Sequence, residues 1–155
     1  MRIVHKISVA KKIKAPSEKV RDILWRIESW TQFWDPLYKV NILYDDGFHQ
    51  DFSMFLEWGN QDSHIRTIRF LDRNGDIVFF SPIPPAPMTS HHGMWQVVTH
   101  GNYTELKATR WFSLSERTKE TLGKGEQDLE SFSKGFEKRL ENLLECLGAL
   151  CETSM

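Results

Sequence analysis

A chain of 155 residues with 40% hydrophobic and 26% charged side chains carries enough apolar material for one domain with its own core. Its formal net charge of −1 lacks the clustered basic footprint of a sequence-unspecific nucleic-acid binder. No apolar run approaches the roughly 20 residues that span a bilayer, and the alternating start Met1-Arg2-Ile3-Val4-His5-Lys6-Ile7 is no signal peptide, so a cytoplasmic protein without a membrane span is expected.

Along the chain, residues 3 to 13 alternate, with Ile3, His5, Ile7, Val9 and Ile13 on one face and Lys6, Ser8, Lys12 and Lys14 around the other. That spacing predicts a half-buried strand. Ala15-Pro16-Ser17 breaks it, with Ser17 as the expected N-cap. Val20, Ile23, Leu24 and Ile27 then predict a short amphipathic helix over 17 to 28. Ser29 to Pro36 reads as a second short helix, stopped by its proline. A strand at 38 to 45 turns at Asp45-Asp46-Gly47. The next run places Phe48, Phe52, Met54, Leu56 and Trp58 on one face and His49, Asp51, Ser53 and Glu57 on the other, with Phe55 as the exception. Further strands are expected at 63 to 71 and 77 to 81, with turns at Gly59-Asn60 and Arg73-Asn74-Gly75. The proline-rich stretch from Ser81 to Pro87 is expected to stay out of any central ladder. Strands at 91 to 100 and 103 to 114 are joined at Gly101-Asn102. From about 124, Leu129, Phe132, Phe136, Leu140, Leu143, Leu147 and Leu150 mark one long amphipathic helix. Cys146 and Cys151 lie five apart on it and are expected to be reduced thiols.

Neither a repeat nor a linker interrupts this order, which predicts a single α+β domain over residues 1–155: a curved antiparallel sheet of about seven strands closed by the long helix. The excess of aromatic residues, six Trp and ten Phe, then has two uses, a solid core or the wall of an internal cavity. Trp30, Phe33, Trp34, Phe52, Met54, Trp58 and Trp95 are the candidate wall, for a hydrophobic small molecule; core filling accounts for Trp58 equally well. Trp25 and Trp111 fall off the periodic faces. Arg69 shares strand parity with Ile65 and Thr67, which suggests the inner face, while a surface position or a pairing with Asp72 remains open. His91 and His92 must point to opposite faces, and His91 is inward if Trp95 is; an ordinary histidine at a loop–strand junction is the other account.

Nucleophile and phosphate motifs are missing. There is no Gly-x-Ser-x-Gly, and Gly123-Lys124-Gly125 is too short and follows no strand. His-Glu-x-x-His and Cys-x-x-Cys spacings do not occur either, so neither a metal nor a cofactor is expected.

Several stretches resemble the START-like (Bet v 1-like) superfamily, and within it the polyketide aromatase/cyclases. Ile13-Lys14-Ala15-Pro16-Ser17-Glu18-Lys19-Val20 and Ile27-Glu28-Ser29-Trp30 are similar to that family's first strand and helix pair. Arg69-Phe70-Leu71-Asp72 resembles the strand end that carries its cavity arginine. Ala86-Pro87, followed by Trp95, resembles its proline loop leading to a cavity tryptophan. Ile65 and Thr67 stand where family members often carry aromatic rings. The resemblance implies a helix-grip fold with an internal cavity and ligand-binding roles for the aromatic wall, Ile65 and Thr67. It also implies folding of a poly-β-ketone, with an acyl carrier protein as partner, for aldol cyclisation and dehydration to an aromatic ring. Arg69 would stabilise the developing enolate, and His91 or bound water would act as base. The alternative is a non-catalytic START-like carrier of a lipid, polyprenyl quinone or aromatic metabolite.

Overall fold

Strand β1, His5–Ile13, lies at one edge of the sheet and pairs antiparallel with the last strand, β7, Tyr103–Leu114, over nine residue pairs from His5↔Phe112 to Ile13↔Thr104. The computed structural model describes residues 3–58, 61–114 and 126–153, with residues 58 and 126–128 described by their backbone alone. After β1 the chain crosses to the far edge through helix α1, Ser17–Trp25, and a 3-10 turn, Ile27–Gln32. It returns by consecutive antiparallel neighbours: β2 (Leu37–Asp45), β3 (His49–Trp58), β4 (Gln61–Leu71), β5 (Ile77–Ile83), β6 (Met88–His100) and β7. The order is β1-β7-β6-β5-β4-β3-β2, and α2, Glu126–Thr153, packs against β1 and α1. The predicted seven-stranded α+β arrangement is the observed one.

Alternation explains the sheet. On β7, Thr104, Leu106, Ala108, Arg110, Phe112 and Leu114 are buried, and Ile7 and Ile13 continue that inner face on β1. Gly93 of β6 opposes Arg110, and a Cβ there would collide with the Thr109 carbonyl oxygen and the Phe79 ring. The turns after β2 and β4 use Gly47 (φ 88°) and Gly75 (φ 82°), a backbone region that other residues enter only with strain.

Several expectations need correction. Ile3 and Phe48 are 55% and 62% exposed, because Ile3 precedes the first ladder pair and Phe48 sits in the turn; Gln50 takes the next inward place on β3. The N-cap of α1 is Pro16 in extended conformation; Ser17 is its first residue, and its hydroxyl accepts from Thr99. Helix α1 stops at Trp25, earlier than expected, and the following turn is 3-10. The proline-rich stretch does enter the sheet. Ile83 pairs with Arg66 of β4 across a bulge, while β6 pairs with β5 only at Ile77 to Phe80, so Pro82 lies on a locally free edge. The Gly59–Asn60 turn, the helix start near 124 and the Trp58 side chain lie outside the described residues.

The long helix is unequal along its length. Its second half buries Leu140, Leu143, Leu144, Leu147 and Cys151, whereas Leu129, Phe132 and Phe136 in the first half are only partly buried. The solid core sits under the second half and leaves a void under the first. Cys146 and Cys151 are both free. No helix of the described residues is long and apolar enough to cross a membrane.

Candidate functional site

The void is a cavity of about 350 Å³ between the concave sheet and the stretch of α2 from Phe132 to Leu143. Trp30 organises one wall. Its Nε1 donates to the Ile23 carbonyl at 2.9 Å, and its ring meets Trp34 and Trp95 edge to face at 6.2 and 6.0 Å. Phe52, Met54 and Leu56 of β3, with Ile65 and Thr67 of β4, form the wall opposite the helix residues Phe132, Phe136, Leu140 and Leu143. Exposed Gln61 and Asp62, the Pro85–Met88 stretch and Arg139 mark the opening.

Arg69 lies inside this wall, 2% exposed. Its Nε and Nη2 donate to Gln50 Oε1 at 2.9 and 2.6 Å, and Nη2 also donates to the Trp25 carbonyl at 2.8 Å. That carbonyl ends α1 and accepts from Gln50 Nε2 as well, at 3.0 Å, so the arginine and the glutamine together satisfy this helix terminus. Gln50 relays the contact through Nε2 to Asp45 Oδ2 at 3.0 Å. The guanidinium also stands 5.2 Å from the Trp25 ring and 5.0 Å from Phe52. Burial lowers its pKa to about 9, partly opposed by Asp45 and Glu28, and it remains a cation at neutral pH. No bond joins it to Asp72, whose carboxylate instead accepts from the backbone of Asn74 and Asp76.

His91 faces the same cavity, tilted against Phe79 and Phe136 at centroid distances of 5.2 and 5.9 Å. Its Nδ1 is 3.2 Å from Ser81 Oγ, which is 3.2 Å from Thr67 Oγ1. Nε2 is buried without a hydrogen-bond partner among the described residues. Burial, then the Arg110 and His92 charges, push the imidazole well below its usual range, so it is neutral.

A second arginine shares the cavity. Arg110 of β7 is 5% exposed, and its guanidinium stands over the rings of Trp95 at 4.4 Å and Phe79 at 4.6 Å. Among the described residues only Nη1 is bonded, to the Thr109 carbonyl at 3.0 Å and more loosely to Met94 at 3.4 Å. Burial, aided by the like charge of Arg69, lowers its pKa to about 9. Among the described residues no three His, Cys, Asp or Glu side chains gather as metal ligands would.

Solved structures share the fold that carries this cavity. The zhui aromatase/cyclase from Streptomyces sp. R1128 superposes with a TM-score of 0.83 at 18% identity, over 97% of this chain and 94% of that one. The di-domain aromatase/cyclase StfQ from the steffimycin biosynthetic pathway gives 0.86 at 16% identity, over 97% of this chain and 51% of the longer protein. A START superfamily protein from Mycobacterium smegmatis gives 0.72 at 17% identity, over 91% and 94%. This is the START-like, or Bet v 1-like, fold. No protein-family model and no curated protein matches the sequence, so the likeness is one of fold.

Of the candidate residues named from the sequence, Arg69, His91, Trp30, Trp34, Phe52, Met54, Ile65, Thr67 and Trp95 line this one cavity. Phe33 is the exception. Its ring packs beside Trp30 at 6.1 Å and does not line the cavity, because the backbone leaves the 3-10 turn there (φ −127°, ψ −12°). The sequence reading missed Arg110, Gln50 and Arg139. Arg110 was signalled by the alternation from Thr104 to Leu114, and Gln50 by its parity with Phe52 and Met54. Trp25 contributes its carbonyl and ring to Arg69, while Trp111 lies outside, stacked on His92 at 5.3 Å.

Proposed function

We propose that residues 1–155 act as one START-like unit that folds a poly-β-ketone chain in its cavity and promotes aldol cyclisation with loss of water. The supporting observation is the buried guanidinium of Arg69, set against the Trp25 and Phe52 rings in the cavity wall. Three of its five N–H donors are used by Gln50 and Trp25, which leaves those on Nη1 for a substrate oxygen. Neutral His91 is the base. With Nδ1–H donating to Ser81, its Nε2 lone pair takes a proton from a methylene between two carbonyls. The electron pair moves to the carbonyl oxygen, where Arg69 stabilises the enolate. The enolate carbon bonds to a second ketone carbon, and the new alkoxide recovers the proton from His91. Removal of the remaining methylene proton then expels the hydroxyl as water and leaves a carbon–carbon double bond. Shape does much of the rest, since the walls hold the reacting carbons together and exclude solvent. An acyl carrier protein is the partner assigned by this reading, delivering the chain as a thioester in the cytoplasm.

The test is a product assay on a poly-β-ketone precursor. Arg69→Ala should lower cyclised product by about 10²–10³, the usual loss for one preorganised oxyanion donor. Arg69→Lys should recover part, because an ammonium keeps the charge and loses the planar fork. A folded Arg69→Ala protein that cyclises at the parent rate refutes the enzyme reading.

A second reading, a non-catalytic carrier of a lipid, quinone or aromatic metabolite, draws support from the same bonds, since Arg69 also caps α1. It expects Arg69→Ala to alter affinity without altering any product pattern.

A further inference from the structure

We infer that Arg110 is an anion subsite, which binds a charged oxygen on a conjugated ligand, so that the cavity takes an aromatic acid or an enolised diketone in preference to a neutral lipid. This rests on the reading that the cavity holds a ligand, and it adds what that ligand must carry.

The two cavity arginines differ in how their charge is met. Arg69 is tied through Gln50 to the Asp45 carboxylate, and Glu28 adds a further negative charge nearby. Arg110 has no such relief. Its bonded partners are two backbone carbonyls, and among the described residues no carboxylate reaches it. The charges acting on it and on its neighbour are unfavourable, since Arg69 repels it and it in turn lowers the basicity of His91. A buried charge without a counter-ion is costly and is retained where something else supplies the opposite sign. The Trp95 and Phe79 rings beneath the guanidinium partly offset that cost, but an aromatic face cannot replace an anion.

The free donors set the ligand's chemistry. Nε and Nη2 have no protein partner among the described residues, and together they form one edge of the fork, suited to a pair of oxygens or one shared oxygen. Phe136, Trp95 and Phe79 stand around the same part of the cavity, so the group carrying the oxygen should be flat and conjugated. Gly93 supports the site from across the ladder. Its missing side chain lets the Phe79 ring lie close to the strand, under the guanidinium.

The experiment compares 2-naphthoate with its neutral methyl ester, titrated by calorimetry and tryptophan fluorescence at neutral pH. The parent should bind naphthoate at least about tenfold more tightly than the ester, the effect of one charge-assisted contact. Arg110→Met should erase that preference while still binding the ester, which also reports that the cavity is intact. Arg110→Lys should keep part of it. With the parent alone, raising the pH through about 9 should weaken naphthoate and leave the ester unchanged. A naphthyl 1,3-diketone separates the two sources of charge. Enolate absorbance on binding at neutral pH assigns an enolised ligand, and its absence alongside tight naphthoate binding assigns a carboxylate. Equal affinity of the parent for naphthoate and ester overturns the proposal while leaving the Arg69 chemistry standing. So does a preference that survives in Arg110→Met. Binding of neither probe overturns the cavity reading as well.

Discussion

Replacing Arg110 with methionine in the ligand-free protein keeps an unbranched, though shorter, apolar stem and removes a charge that has no counter-ion among the described residues. The expected outcome is a more stable protein. Folding lowers this guanidinium from the ordinary arginine range to about 9, which at about 1.4 kcal/mol per power of ten corresponds to about 5 kcal/mol of unfavourable charge burial. Against removal stand two hydrogen bonds to carbonyls, worth about 1 kcal/mol each. The contacts with the Phe79 and Trp95 rings add about 1 kcal/mol. A net gain of about 2 kcal/mol follows, within the range seen when buried charges give way to packed apolar groups. Urea denaturation of parent and variant, without ligand at neutral pH, measures it. The pH dependence supplies an internal check. Because the folded pKa lies below the unfolded one, the unfolded chain holds the extra proton from about pH 9 up to the ordinary arginine range, and parental stability from this group rises with pH across that window. The variant's advantage should therefore shrink above about pH 9. A variant less stable than the parent by more than about 1 kcal/mol would make Arg110 a structural tie and refute the reasoning.

His91 gives the acid-side counterpart. Its folded pKa lies well below 6.5, so the unfolded chain gains a proton first as pH falls, and stability should drop by up to about 1.4 kcal/mol per pH unit below 6.5. His91→Gln should flatten that part of the profile in denaturation series from pH 7 to pH 5, and an unchanged slope would place the titration elsewhere. The unequal helix predicts a contrast between two truncations. Leu147→Ala, in the solid core, should cost about 2–5 kcal/mol, while Leu140→Ala, whose side chain already borders the cavity, should fall at or below the bottom of that range. Equal losses would mean that the cavity-facing part of α2 packs as tightly as its solid-core end.

Most of the fold is legible because a sheet with one wet face must alternate and a helix with one buried stripe must repeat at three-four spacing. β1, β3 and α2 follow those rules closely. Pro82 does not, because a bulge and the loss of pairing with β6 let it sit in a strand, and neither event has a local sequence signature. Arg69 was legible through Ile65 and Thr67. Arg110 occupies the same kind of position, yet a charge in an apolar register reads as an interruption, and buried Thr109 and Ser113 on the opposite parity blur the pattern further. Phe33 failed for the reverse reason. Its neighbours Trp30 and Trp34 are both wall residues, but the 3-10 turn ends between them and rotates the intervening ring away.

The two arginines also carry different structural burdens, which decides how their variants are to be read. Arg69 closes the end of α1 and, with Gln50, holds that end against β3 and β4. Removing it perturbs the Trp25–Trp30 wall as well as any oxyanion site, so lost product in Arg69→Ala is chemical evidence only beside an intact cavity. Binding of the naphthoate ester supplies that control, because the ester needs the aromatic walls and no charge. Arg110 bonds only to carbonyls of β6 and β7, the closely paired strands on which it rests. The sheet can spare it. A charge held only by backbone carbonyls and set over the Trp95 and Phe79 rings is therefore expected to show its effect in the naphthoate titration rather than in a loss of folding stability.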